Sequence, residues 1–180
     1  MDKAVLLPLV TAAGGAFLGW LAAFSNERVK WQRERAARWD ERRLTAFVDY
    51  AAAVKREVHL CIRMAAAMHL GTMDEAPLEN VEGVRLLNAT EERRADAFEG
   101  LLLLADKQTI DAARAWHESV WRLRDTVNGT RTVDQDTFMS LFRATGVARD
   151  DFHQAARQSL SVTTEFARSL AFHRTVADST

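Results

Sequence analysis

Residues 4–24, AVLLPLVTAAGGAFLGWLAAF, carry no charged side chain. As a helix rising ~1.5 Å per residue, such a segment is about 31 Å long, the thickness of a bilayer's hydrocarbon core. Three readings compete for it. A cleaved signal peptide has a basic leader, an apolar stretch of ~7–15 residues and a small-x-small exit. Here the leader is only Met1-Asp2-Lys3, the apolar stretch is longer, and Leu21-Ala22-Ala23-Phe24 puts a large residue at a critical position in either register. A buried core helix normally carries some polar residues over this length. The reading adopted is an uncleaved transmembrane anchor. Pro8 falls in the first turn, where its missing N–H costs little, and Trp20 and Phe24 suit an interfacial belt.

The flanks set the orientation. One Lys and one Asp precede the anchor, whereas Arg28, Lys30, Arg33, Arg35, Arg38, Arg42 and Arg43 follow it. Basic flanks stay cytoplasmic, and nearby acidic residues do not cancel them. The expected topology is a single-pass cell-membrane protein, N-terminus outside and C-terminal domain cytoplasmic. Residues 25–43 read as a basic helical stalk, with Arg28, Lys30, Arg33 and Arg35 close enough to meet lipid headgroups.

The remainder reads as helix. The chain of 180 residues has 2 prolines and 8 glycines, and neither occurs between Gly19 and Gly71. Phe47, Ala51, Val54, Val58, Cys61, Ala65 and Met68 alternate spacings of four and three, the seam of a bundle. Cys61 is then a small packed hydrophobe. Gly71 is expected to end this helix, and Thr72 with Glu75 has capping-box spacing. A second helix is expected over about 77–104, opened by Pro77 and facing inward with Val81, Val84, Leu87, Phe98, Leu101 and Leu102. Asp106 can cap a third, 107–128, carrying Ile110, Ala113, Trp116, Val120, Leu123 and Val127, with Asn128-Gly129 as its stop. Thr132 and Gln135 suggest the start of a fourth, about 133–160, through Phe138, Leu141, Phe142, Thr145, Phe152, Ala156 and Ser159. Short connections make neighbours antiparallel. The expected fold is all-α: an anchor (4–24), a stalk (25–43), an antiparallel four-helix bundle (44–160) and a partly helical tail (161–180). The alternative fuses the middle helices through residues 104–107 into three long helices. Arg42 and Arg124 are expected on the solvent side.

The chain resembles small single-pass membrane proteins of unknown function common in Streptomyces and other actinobacteria. The resembling pieces are the Gly/Ala-rich anchor with its exit ERVKWQRERAARWDERRLTAFVDYAAAVKRE, the segment LLLLADKQTIDAARAW, and DDFHQAARQSL in the last helix. The resemblance implies a helical, membrane-tethered protein and brings no activity with it.

No catalytic constellation emerges. There is no P-loop, no dinucleotide-binding glycine turn and no cysteine-pair zinc pattern. The histidines are scattered, and Asp150 with His153 is a single acidic-x-x-His step where di-metal bundles use two plus further carboxylates. Glu91 sits near the seam with Arg94 as its natural partner. Trp116-His117-Glu118 and Trp121 read as core aromatics beside solvent-facing polar groups. The expectation is therefore no enzyme, no metal and no cofactor. Near-neutral charge, −1 overall, gives no reason to expect nucleic acid. The sequons at Asn88 and Asn128 are chance matches on a cytoplasmic domain. Thr11, Gly15, Gly19 and Ala23 recur every four residues, a small-residue stripe that lets two membrane helices approach closely. The expected partners are the bilayer, a second copy of the chain, or another protein. The leading expectation is a non-enzymatic interaction or scaffold module; the alternative is a ligand sensor or enzyme with a pocket between the bundle helices, which an internal site lined by His and carboxylates would favour.

Overall fold

The computed structural model describes residues 3–70 and 76–164; in the first helix, side chains are described at Trp31, Arg35 and from Ala37 onward. Four α-helices follow in chain order, α1 (Lys3–Ala67), α2 (Asn80–Leu104), α3 (Lys107–Val127) and α4 (Gln135–Ser159), with no strand among the described residues. The chain divides into two compact units, Met1–Glu41 and Arg42–Thr180. The first is helical along its described length and exposes Trp31 and Trp39. Among the described residues no helix is long and apolar enough to cross a membrane. The side chains of residues 4–24 lie outside them, and so does the expected anchor.

The second unit is an up-down-up-down bundle. Leu78 N–H donates to the Arg63 carbonyl near the C-terminal end of α1, while Arg43, where α1 enters the second unit, reaches Leu104, so α2 runs against α1. Asn80 pairs with Val127, and Gln108 with Gln158, which reverses α3 and α4 in turn. The three-helix alternative fails at Ala105, whose extended backbone (φ −88°, ψ 156°) breaks the chain between α2 and α3. Arg43 then closes one end of the bundle. Its guanidinium donates to the last carbonyls of two helices, Leu104 at 3.0 Å and Ser159 at 3.1 Å, a cation placed at the negative ends of two dipoles.

Helix ends depart from several sequence expectations. His69, not Gly71, terminates α1: it sits at φ 58°, and Leu70 N–H returns to the Ala65 carbonyl while His69 N–H returns to Ala66. That is a Schellman closure with a non-glycine residue in the left-handed position, stabilised as Leu70 packs against the core. Gly71 and the Thr72–Glu75 pair lie outside the described residues. Pro77 precedes α2 rather than opening it, and α2 starts at Asn80. Asp106 caps α3 as expected, accepting from Thr109 N–H at 2.8 Å, and Gly129 (φ 77°) follows its end. The cap of α4 is Asp134, accepting from Thr137 N–H, rather than Thr132.

The buried face of α1 is a stripe three residues wide in each heptad: Phe47/Val54/Cys61, Ala51/Val58/Ala65, and Tyr50/Glu57/Met64. Met68, expected in the seam, is exposed, as are Val81 and Leu102 on α2, where Gly83 and Thr90 turn inward instead. Gly83 faces Met64, and a Cβ there would come within 2.5 Å of the Met64 sulfur. Two apolar clusters result. One is aromatic, with Tyr50, Trp116 and Phe152 at centroid spacings of 5.4–6.2 Å. The other is mainly aliphatic, around Cys61, Met64, Leu87 and Leu123. Along α1, Glu57 falls between them.

Candidate functional site

Glu57 lies one heptad beyond Tyr50 and one before Met64, so helix geometry carries it to the bundle interior. It is 0 % exposed, and neither carboxylate oxygen has a hydrogen-bond partner. Leaving such a group unpaired costs about 1–3 kcal/mol, and more if it is ionised. What faces it comes from two other helices. His117 of α3 places Nε2 4.0 Å from Glu57 Oε2 and 3.2 Å from Glu91 Oε2 of α2. One ligand atom each from Glu57, Glu91 and His117 lie within 4.8 Å of one another.

A ring of donors surrounds this trio. Arg94, one turn after Glu91, grips both its oxygens, Nε to Oε2 at 3.1 Å and Nη2 to Oε1 at 2.8 Å. Arg124, two turns after His117, reaches Glu91 Oε2 at 3.4 Å and Asn88 at 3.3 Å. The Trp121 indole N–H donates to His117 Nε2 at 2.8 Å. Two sequence readings are corrected here. Arg124 is not a solvent-side residue, because the i, i+7 spacing from His117 sets it on the same face. Trp121 is no core aromatic but half-exposed, and His117 points inward rather than to solvent.

The trio holds its protons unequally. Burial, then the neighbouring Glu91 carboxylate, pushes Glu57 up to about 8 from an ordinary 4.5. Burial also acts upward on Glu91, but the Arg94 hydrogen bonds, the interaction with Glu57 and the charge of Arg94 outweigh it and hold Glu91 at about 2. Burial, then Arg94, lowers His117, with Glu91 pulling the other way. At neutral pH the arrangement is a protonated Glu57, an ionised Glu91 and a neutral imidazole. Accepting the indole N–H puts the ring proton on Nδ1. Three acceptor atoms then converge, and the proton on Glu57 is the one donor they hold among themselves. Chemically the trio suits a cation or the storage and release of a proton.

A separate hollow of about 110 Å³ lies among α1, α3 and α4, lined by Val58, Ile62 and Phe142 with Lys55, His59 and Arg149. Trp116 also lines it, and its indole N–H has no partner.

None of the residues singled out from sequence as site residues is a member of this trio. Thr11, Gly15, Gly19, Ala23, Arg28, Lys30 and Arg33 lie on the α1 backbone, with side chains outside the described residues; Arg35 is exposed. Asp150 is engaged by Arg149 at 2.8 Å, and His153 stacks near Trp116 and Phe152. Cys61 is fully buried, and burial pushes its thiol up to about 12, which suits a packed hydrophobe. Sequence reasoning missed Glu57 because a carboxylate in an apolar stripe reads as solvated. The signal available was its place midway between Tyr50 and Met64 at heptad spacing. No family model matches the chain, and neither a curated protein nor a solved structure matches it.

Proposed function

We propose that the protein is a membrane-tethered, non-enzymatic interaction module: a four-helix bundle held on the cytoplasmic face by its N-terminal helix. The observation that carries this reading is the charge-free run 4–24, followed within twenty residues by seven basic side chains. Helical backbone runs through this run and on into the bundle-forming segment. The order of anchor, Arg-rich exit and helical domain resembles that of small actinobacterial membrane proteins. Arg28, Lys30, Arg33 and Arg35 would contact anionic headgroups, and the Thr11-Gly15-Gly19-Ala23 stripe would pair two copies. Alkaline extraction of membranes from expressing cells tests the tether: the chain is expected in the pellet at its full mass. Recovery in the supernatant, or a mature mass lacking residues 1–24, overturns it. A membrane-impermeant thiol reagent tests the orientation, since a Cys placed at position 178 should stay unlabelled in intact cells.

A second reading, that the bundle responds to a ligand, is favoured by one observation. A fully buried carboxylate with no hydrogen-bond partner faces a histidine and a second carboxylate.

A further inference from the structure

Glu57 poses a chemical problem that the surrounding side chains leave open. Core positions of α1 one heptad to either side are a tyrosine and a methionine, and both are accommodated. Glu57 brings two oxygens into the interior and finds no donor for either. The Glu91 carboxylate and His117 Nε2, which converge with it within 4.8 Å, are themselves acceptors. Such convergence asks for a positive centre among the three.

We propose that Glu57, Glu91 and His117 form a binding site for one divalent transition-metal ion of the zinc class, held between α1, α2 and α3. The donor set is two carboxylate oxygens and one imidazole nitrogen. That set suits Zn²⁺, Co²⁺, Mn²⁺ or Fe²⁺ and supplies too few oxygens for Ca²⁺. Metal–ligand distances of ~2.0–2.2 Å in a tetrahedron put ligand atoms about 3.3 Å apart. His117 Nε2 and Glu91 Oε2 already stand at 3.2 Å, and Glu57 Oε2, at 4.0 Å from Nε2, closes the gap by a small carboxylate rotation. Water takes the fourth position.

The surroundings bear on affinity and on entry. Arg94 and Arg124 reduce the pull on a cation. Glu91 Oε2 accepts from both, Arg94 Nε at 3.1 Å and Arg124 Nη1 at 3.4 Å, so it takes the metal by giving up the longer Arg124 contact, while Arg94 keeps its bond to Oε1. Trp121 now occupies the Nε2 lone pair, and it is 50 % exposed. It swings outward when the metal arrives, so the indole is the gate. The exchange balances as one proton for one ion: the proton on Glu57 goes to solvent and its carboxylate binds the metal.

The test uses the full-length untagged chain in detergent, stripped with EDTA and titrated with Co²⁺. Wild type is expected to show visible d–d absorption saturating at one Co²⁺ per chain, reversed by Zn²⁺. Glu57→Gln should weaken binding by at least about tenfold while melting no lower than wild type without metal. Trp121→Phe, which frees Nε2, should bind at least as tightly as wild type. Absence of the absorption band in wild type overturns the proposal. So does an unchanged Glu57→Gln titration, which would place any bound ion on the surface. None of these readouts depends on whether residues 4–24 enter a membrane.

Discussion

Two layers of the same bundle, one heptad apart on α1, solve the burial of a polar atom in opposite ways. In the Tyr50 layer the ring packs among Phe98, Trp116 and Phe152, and the hydroxyl donates to the Ala113 carbonyl at 2.7 Å. Burial pushes the Tyr50 phenol far up, so it stays a neutral donor at every physiological pH. In the Glu57 layer the carboxyl reaches no donor, and its neighbours are a carboxylate, an imidazole and the two arginines that serve Glu91. The first layer is finished as packing. The second is stable only as a charge arrangement, and charge arrangements respond to protons and cations where packed rings do not. Function is therefore sought at Glu57 and structure at Tyr50.

The largest expected effect tests the aromatic layer. Phe152 is fully buried against Phe47, Tyr50 and Trp116, so Phe152→Ala should cost about 3–5 kcal/mol in urea unfolding of the full chain. A midpoint close to wild type would remove that layer from the core. Next comes the clamp on Glu91. Arg94→Gln removes both guanidinium bonds to a half-buried carboxylate and should cost about 1.5–3 kcal/mol at neutral pH. It should also raise the Glu91 pKa, which side-chain NMR would read directly. An unmoved titration would mean that groups other than Arg94, with Glu57 and His117 foremost, hold Glu91 ionised.

The sharpest form of the comparison is a change of sign between the layers. Above pH 8, Glu57→Gln should stabilise the apo chain by about 1–2 kcal/mol, because it replaces a buried ionised group by a neutral one of the same shape. Tyr50→Phe should destabilise it by about 0.5–1.5 kcal/mol, through the lost bond to Ala113. If both variants shift in the same direction, the two layers are not different in kind.

The pH dependence follows from the same residues. Glu57 titrates near 8 in the folded chain and near 4.5 unfolded. Between those values the folded state holds the extra proton, so this contribution is complete below about 4.5 and is lost as pH rises through 8. Glu91, held near 2, adds stability above its ordinary 4.5 that fades as pH falls toward 2. His117, lowered from 6.5, works against the folded state as pH drops below that value. From about pH 6.5 to 8 the Glu57 effect stands clear of the other two. Wild-type melting temperature should fall across that window, and Glu57→Gln should flatten the fall. Equal slopes would show that Glu57 does not hold its proton there.

Much of the bundle was legible in the residue pattern. The α3 stripe of Ala113, Trp116, Val120, Leu123 and Val127 is buried throughout, because a period near 3.6 in apolar side chains needs no tertiary information to point one way. The Asp106 cap was legible for the same local reason. Less legible were the ends made by uncommon residues. His69 and Ser161 hold positive φ, and nothing local favours His69 over Gly71, two residues on. Leu70 docking on the core selects His69, and that contact exists only once the helices assemble. Of the candidate site, the sequence showed Glu91 with Arg94 as its partner, since both sit on one helix face three residues apart. Glu57 and His117 lie sixty residues apart on different helices, and their approach cannot be written in any local spacing.

The sequence by itself determined that this chain is helical and where its apolar stripes fall, and it raised the membrane expectation for residues 4–24. These are consequences of periodicity and local polarity, properties a segment has alone. The tertiary structure decided that Arg43 closes two helix ends and that Glu57 meets Glu91 and His117 without a donor of its own. Each of those depends on which helix faces which. An electrostatic environment is a sum over neighbours brought together by packing, so a carboxylate that reads as ordinary in one helix becomes the most demanding group in the molecule when three helices close around it.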